Sequence, residues 1–253
     1  MRAAKRSDRG LVRENNEDFV LADQVTGLFL LADGMGGGPA GEVASELAVS
    51  AARGLLAGQR LVESPEDVPR LLAEGLAAAH SAVAKAALAD PALEGMGTTL
   101  DLLLVRGLVA SLCHVGDSRM YLFRRGELRP LTTDDNYAAV LAEVKKVPVE
   151  QIPPAYRHIL TQVVGLSEEL VPEIRQIELK PGDLLLMCSD GLTGALNDVE
   201  IEAIMGRTWR ELDDLADALV AAANEKSGAD NVSVVIVEPV PAVASGTLPA
   251  AKI

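Results

Sequence analysis

Cysteine is nearly absent. The 253 residues contain two, Cys113 and Cys188, too few for a disulfide framework. Both lie in apolar runs, where a thiol is ordinarily a small core residue. Histidine is also scarce. His80, His114 and His158 are too scattered to suggest a zinc site, and a core or surface role is expected for each. Positive charge is outweighed: 23 Lys and Arg against 37 Asp and Glu leave a formal charge of −14 and a pI near 4.7. No nucleic acid partner is expected, since phosphate binding needs a basic face. A divalent cation is the partner such a charge favours. The start, Met1-Arg2-Ala3-Ala4-Lys5-Arg6, lacks the apolar segment of a secretion signal. No stretch reads as long enough to cross a bilayer. The expectation is a cytoplasmic monomer with no membrane partner.

What the chain does have is a substantial core and a repeated pattern of carboxylates. Hydrophobic residues make up 49%, enough for one large sandwich or barrel. Leu28-Phe29-Leu30-Leu31-Ala32 runs into Asp33-Gly34, and Leu184-Leu185-Leu186-Met187-Cys188 runs through Ser189 into Asp190-Gly191. A third apolar stretch ends at Gly116-Asp117, and Asp230-Asn231 opens a fourth. Carboxylates that end buried strands repeatedly need something positive to gather them. Hard oxygen ligands suggest Mg2+ or Mn2+.

Coarse patterning predicts a strand at 28–32, a helix from 39 to about 56, and a second helix from 65 to about 89. Ser64 as N-cap and Pro65 at the first helical position mark the start of the second. Hairpins follow: 98–105 with 108–115, and 119–124 with 128–131. Residues 134–160 are polar and proline-bearing, with a helical stretch from Tyr137 to Lys146, and read as an insertion lying over something. Pro181-Gly182-Asp183 turns into a strand at 184–189. Helices begin at Asn197 and at Thr208, each with Glu three residues on. The last strand is 232–237, and the tail from Pro239 is expected to fray. Helices segregated from mostly antiparallel strands point to α+β.

Two phosphate-binding patterns occur, and neither fits its context. Gly36, Gly38 and Gly41 match G-x-G-x-x-G. Asp33, however, puts negative charge where a pyrophosphate would sit, and the chain continues helix to helix without the returning strand of a βαβ unit. Cys113 and Arg119 match the C-x5-R cradle of a cysteine-dependent phosphatase. Such a cradle should open a helix, whereas Met120-Tyr121-Leu122-Phe123 reads as strand.

The remaining blocks make sense together, although alone most of these charges would be solvated surface groups. They are Arg13 with Asn16-Glu17-Asp18, Ala32-Asp33-Gly34-Met35-Gly36-Gly37 with Ala40-Gly41-Glu42, Gly97-Thr98-Thr99, and His114-Val115-Gly116-Asp117-Ser118-Arg119. Leu160-Thr161 before Gly165, Ser189-Asp190-Gly191-Leu192 and Gly228-Ala229-Asp230-Asn231-Val232 complete the set. In this order they resemble the metal-dependent Ser/Thr protein phosphatases, the protein phosphatase 2C family, in its bacterial branch. The resemblance runs from Ser7 to about Val237. It implies a four-layer α-β-β-α sandwich of two mainly antiparallel sheets flanked by helices. A catalytic domain would span 1–238, with a flap at about 134–160 and a flexible tail at 239–253.

The resemblance also implies a site. Asp33 matches the aspartate that bridges two divalent ions, with Asp190 and Asp230 as further ligands of the first. Glu17 and the Gly34 carbonyl match the second ion's ligands, and Asp117 a third, weaker ion shared with Asp190. Arg13 matches the phosphate clamp, where a guanidinium fork fits two phosphate oxygens. Water activated by the metal attacks phosphorus in line and the serine or threonine oxygen leaves. Phosphorylated proteins are the implied substrates and a Ser/Thr protein kinase the opposing partner. The chain departs from the pattern at Met35, where animal and plant members often carry a histidine proposed as general acid. It departs again at Asp134-Asp135-Asn136, where an Asp-His-Ser-like run is common. Two rivals remain at this stage. One is a catalytically silent binding module, against which stands the completeness of the ligand set. The other is a cysteine-dependent phosphatase using Cys113.

Overall fold

In β3 (Leu28–Met35), Leu28, Leu30 and Ala32 face one way and Phe29 and Leu31 the other, and all five are buried. A strand covered on both faces needs a layer on each side, and this one requirement sets the architecture. The computed structural model describes residues 1–35, 40–58 and 65–240. Within them β3 belongs to a sheet ordered β2 (Asp18–Asp23), β3, β5 (Leu100–Arg106), β6 (Val109–Val115) and β9 (Glu173–Glu178), with the short β4 (Gly97–Thr98) paired to the end of β3. The second sheet is ordered β1 (Arg2–Asp8), β11 (Val232–Glu238), β10 (Leu184–Cys188), β7 (Arg119–Arg124) and β8 (Glu127–Pro130). Every named strand pair is antiparallel.

Three apolar layers hold the sandwich. Between the sheets, Phe29, Leu31, Leu103 and Leu112 meet Met120, Leu185, Met187 and Val235. On the outer face of the first sheet, Leu30, Leu102 and Cys113 pack against α1 (Gly41–Gly58) and α2 (Val68–Ala89) through Ala48, Ala52, Leu72 and Leu76. On the outer face of the second, Leu186, Val234 and Ile236 pack against α4 (Asp190–Ala195), α5 (Asp198–Met205) and α6 (Leu212–Lys226) through Leu192, Ile201 and Leu219. Each such leucine contributes on the order of 2 kcal/mol by leaving water. The result is the four-layer α-β-β-α sandwich expected.

The central strands and long helices lie where the sequence predicts them. Asn197 caps α5, accepting from the Glu200 amide at 3.0 Å while the Glu200 carboxylate accepts from the Asn197 amide at 2.8 Å. Other details differ. The last long helix begins at Leu212 instead of just after Thr208, with the Asp214 carboxylate accepting from the Glu211 amide at 3.2 Å. A 3-10 turn over Pro65–Asp67 precedes α2, and the predicted cap Ser64 lies outside the described residues. The strands β1, β2 and β9 and the short α4 have no counterpart in the sequence reading. By length and composition α2, at 22 residues, is also apolar enough to cross a membrane, contrary to expectation. Its buried stripe, Leu71, Leu72, Leu76, Ala79 and Val83, belongs to the core cluster under the first sheet. Of the tail, residues 241–253 lie outside the described residues.

Candidate metal centre

Two crossings from one sheet to the other share one end of the sandwich, and the candidate residues collect there. The crossing from β1 to β2 carries Arg13 and Glu17, and the crossing from β6 to β7 carries Asp117. Asp33 lies near the end of β3, Asp190 opens α4 just after β10, and Asp230 immediately precedes β11. Together Arg13, Glu17, Asp33, Gly34, Asp117, Asp190 and Asp230 line one cleft of about 240 Å³, so all seven sequence candidates meet.

Local hydrogen bonds fix this arrangement. The Asp33 amide donates to Thr99 Oγ1 at 2.9 Å, and the Asp33 carbonyl accepts from Thr98 Oγ1 at 2.8 Å. Asn231 ties the β1–β2 crossing to the start of β11: its Oδ1 accepts from the Glu17 amide at 2.8 Å, and its Nδ2 donates to the carbonyls of Arg9 and Asn15, each at 2.9 Å. Two glycines permit close approach. A Cβ on Gly34 would stand 2.1 Å from the Gly41 carbonyl oxygen, and one on Gly41 would stand 2.5 Å from the Glu17 carboxylate. Glu17 thus rests against the N-terminus of α1, the end that favours an anion. Gly36 and Gly38, the remainder of the G-x-G-x-x-G pattern, lie outside the described residues.

The electrostatics call for a cation. Burial, followed by the charges of Asp18, Asp190, Asp117 and Asp230, raises the Asp33 carboxyl well above the usual carboxylate range. Burial and the charge of Asp190 push Asp117 up to about 7. Burial and Asp230 raise Asp190, against a hydrogen bond from Asp33 and the charges of His158 and Arg13. Behind them Asp18 is buried directly opposite Asp33 in the β2–β3 ladder. It accepts from Ser189 Oγ at 2.7 Å, but its Oδ1 has no hydrogen-bond partner. Burial pushes Asp18 up to about 7 as well. Among the described residues, the one cation in hydrogen-bond contact with these carboxylates is Arg13, whose guanidinium donates to Asp230 at 2.7 Å. Hard oxygen donors, crowded and short of positive charge, fit Mg2+ or Mn2+. Among the described residues, however, no three Asp, Glu, His or Cys side chains stand ready to enclose one ion.

Several residues at this end were not read as functional from sequence. Thr99 and Asn231 line the cleft, and each sits inside a block quoted for the resemblance, which was the available signal. His158 was assigned to core or surface, yet it lines the cleft beside Leu160. His114 is a core residue as expected, fully buried, with Nδ1 2.6 Å from Asp101. The C-x5-R cradle does not exist. Cys113 faces the helix layer with its thiol pushed up to about 12 by burial, and Arg119 is spent on Asp134 through two hydrogen bonds of 2.7 and 2.8 Å.

Comparison with known proteins shows the family of the chain. The sequence pattern of the Protein phosphatase 2C family matches residues 4–230. The serine/threonine protein phosphatase PstP of Mycobacterium tuberculosis is 40% identical over 94% of this chain, which spans only 45% of that protein's length. The serine/threonine phosphatase stp of Listeria welshimeri is 32% identical over 94% of this chain and 96% of its own. A crystal structure of the PstP catalytic domain in complex with two manganese ions superposes with a TM-score of 0.82 at 39% identity, covering 94% of this chain and 98% of that one.

Proposed function

Since the chain belongs to the protein phosphatase 2C family, we propose that it removes phosphate from phosphoserine and phosphothreonine in proteins, using Mg2+ or Mn2+. The observation that carries the proposal is the single cleft in which Glu17, Asp33, Asp117, Asp190 and Asp230 stand around Arg13. Glu17, Asp33, the Gly34 carbonyl, Asp190 and Asp230 would hold two ions, and Asp117 with Asp190 a third. Bound there, the metal activates water and neutralises charge on the phosphoryl group.

The chain's own side chains do the rest. Arg13 is half exposed and, among the described residues, pairs only with Asp230, so its fork could turn to two phosphate oxygens if Asp230 held a metal. Asn231 and Thr99 keep the two crossings and the end of β3 in register, which holds the ligands still as charge builds at phosphorus. The flap, 134–160, brings His158 to the rim of the cleft. The two-manganese relative favours Mn2+ as the first ion to test. We place the reaction in the cytoplasm opposite a Ser/Thr kinase and with a monomeric enzyme, and two free, buried cysteines suit a reducing compartment. The acidic surface would draw in basic substrates.

Hydrolysis of a phosphothreonine peptide by the purified protein tests the reading. Activity in Mn2+ that vanishes in excess EDTA and returns with Mn2+ is expected. Activity indifferent to EDTA would overturn the metal mechanism. No activity with either metal would favour a silent binding module.

A further inference from the structure

Met35 leaves the proposed reaction without its proton donor, and a serine or threonine oxygen leaves poorly as an alkoxide unless a general acid protonates it. Of the side chains lining the cleft, the carboxylates are taken as metal ligands and Arg13 does not release its proton. Met35, Leu160 and Asn231 have no proton of suitable acidity, and the Thr99 hydroxyl is paired with Ser118 at 2.9 Å. His158 remains, and imidazole is the commonest general acid in proteins.

Its position is held by the backbone that follows it. The Tyr137 amide donates to the Ile159 carbonyl and the Thr161 amide to the Asp135 carbonyl, each at 2.8 Å, while Asn136 and Leu160 form a bridge. These contacts tie residues 159–161 to the capped start of α3 (Tyr137–Lys145). The His158 ring is exposed, and among the described residues it has no hydrogen-bond or ion-pair partner. It lines both the metal cleft and an adjoining groove. Asp117 and Asp190 face it from the cleft, and Arg119, Asp134 and Arg157 from the groove. It thus stands where the cleft meets the adjoining groove, an exposed ring open to a substrate oxygen.

We propose that His158 is the general acid of this phosphatase, giving an imidazolium proton to the serine or threonine oxygen as the P–O bond breaks. The inference rests on the phosphatase reading above. Water forms the new bond to phosphorus and releases a proton. The electron pair of the breaking P–O bond takes the proton of His158, and the neutral ring regains one from solvent. One water is consumed for each phosphate released.

The test compares leaving groups. His158→Gln and wild type are assayed in saturating Mn2+ on a phosphothreonine peptide and on p-nitrophenyl phosphate, whose phenolate departs without protonation. The variant should lose roughly 100-fold or more on the peptide and less than about ten-fold on the aryl ester, with Mn2+ affinity by calorimetry unchanged. Free imidazole should restore part of the peptide activity of His158→Ala. Equal losses on both substrates, an unaffected peptide rate, or weakened Mn2+ binding would overturn the proposal. Wild-type protein inert on both substrates would remove the phosphatase reading and this proposal with it.

Discussion

Two carboxylates directly opposite each other in an antiparallel ladder, as Asp18 and Asp33 are, destabilise the pair. Asp33→Asn should therefore separate stability from function. Losing one crowded charge should raise the melting temperature of the metal-free protein, while removal of the proposed bridging ligand should nearly abolish turnover. In wild type, Mn2+ at about 100 times its Kd should add about 2.7 kcal/mol. Thermal melts with EDTA and with Mn2+ check both: an Asn variant that gains as much from Mn2+ as wild type does would exclude Asp33 as a ligand. Arg13→Lys keeps the charge but loses the fork. It should cut kcat/KM by about ten-fold while leaving Mn2+ affinity unchanged. At this scale the carboxylates of the cleft are legible because aspartates at the ends of apolar runs have no packing reason to be there. His158 is not, since a lone histidine in a polar segment has no periodicity to mark it, and only the folded flap brings it to the cleft.

Among elements, legibility followed burial. β3, β5, β6, β10 and β11 are buried almost throughout and read as apolar runs. β1 and β9 lie at sheet edges, β1 with Ala4 as its one buried residue and β9 with none. The charges in Arg2–Asp8 and Glu173–Glu178 guard those edges against pairing with another chain and hide the strands from a pattern search. β2 is the other edge of the first sheet, too short to show a clear alternation. The start of α6 was misread because the chain offers two capping boxes, Thr208 with Glu211 and Glu211 with Asp214, and uses the second. In the flap, Asn136 caps α3, accepting from the Ala139 amide at 2.9 Å. Asn136→Ala should cost about 1 kcal/mol locally. Because the flap has its own small cluster of Ala138, Ala142 and Ile152, the loss should appear as faster amide exchange over 137–145, with the global melting temperature almost unmoved.

For the whole molecule, protonation sets a stability profile of definite sign. Asp18 and Asp117 are held up to about 7, and Asp33, Asp190 and Asp101 are raised by burial first. Burial alone would lower His114, but Asp101 outweighs it and holds the ring up to about 9. A group whose folded pKa lies above its unfolded one stabilises at low pH and loses that contribution as pH rises through the folded value. Metal-free protein should thus melt at falling temperatures as pH rises through about 7, and again through about 9. Mn2+ should flatten the first decline and spare the second, because a cation favours the ionised carboxylates and does not reach the buried His114–Asp101 pair. Calorimetric scans across that range, with EDTA and with Mn2+, decide it, and a first decline that survives in Mn2+ would contradict the assignment.

The proposed ligands are divided between the two sheets, Asp33 from one and Asp190 and Asp230 from beside the strands of the other. A shared cation is for that reason also a rivet across the sandwich. Without it, like charges from the two layers push this end open; with it, the same charges pull the end shut. Forces that shear the sheets apart meet apolar packing along most of the seam and an ionic joint at this end. Ions that equip the cleft for chemistry would then also be the fastening that keeps its two walls at working distance.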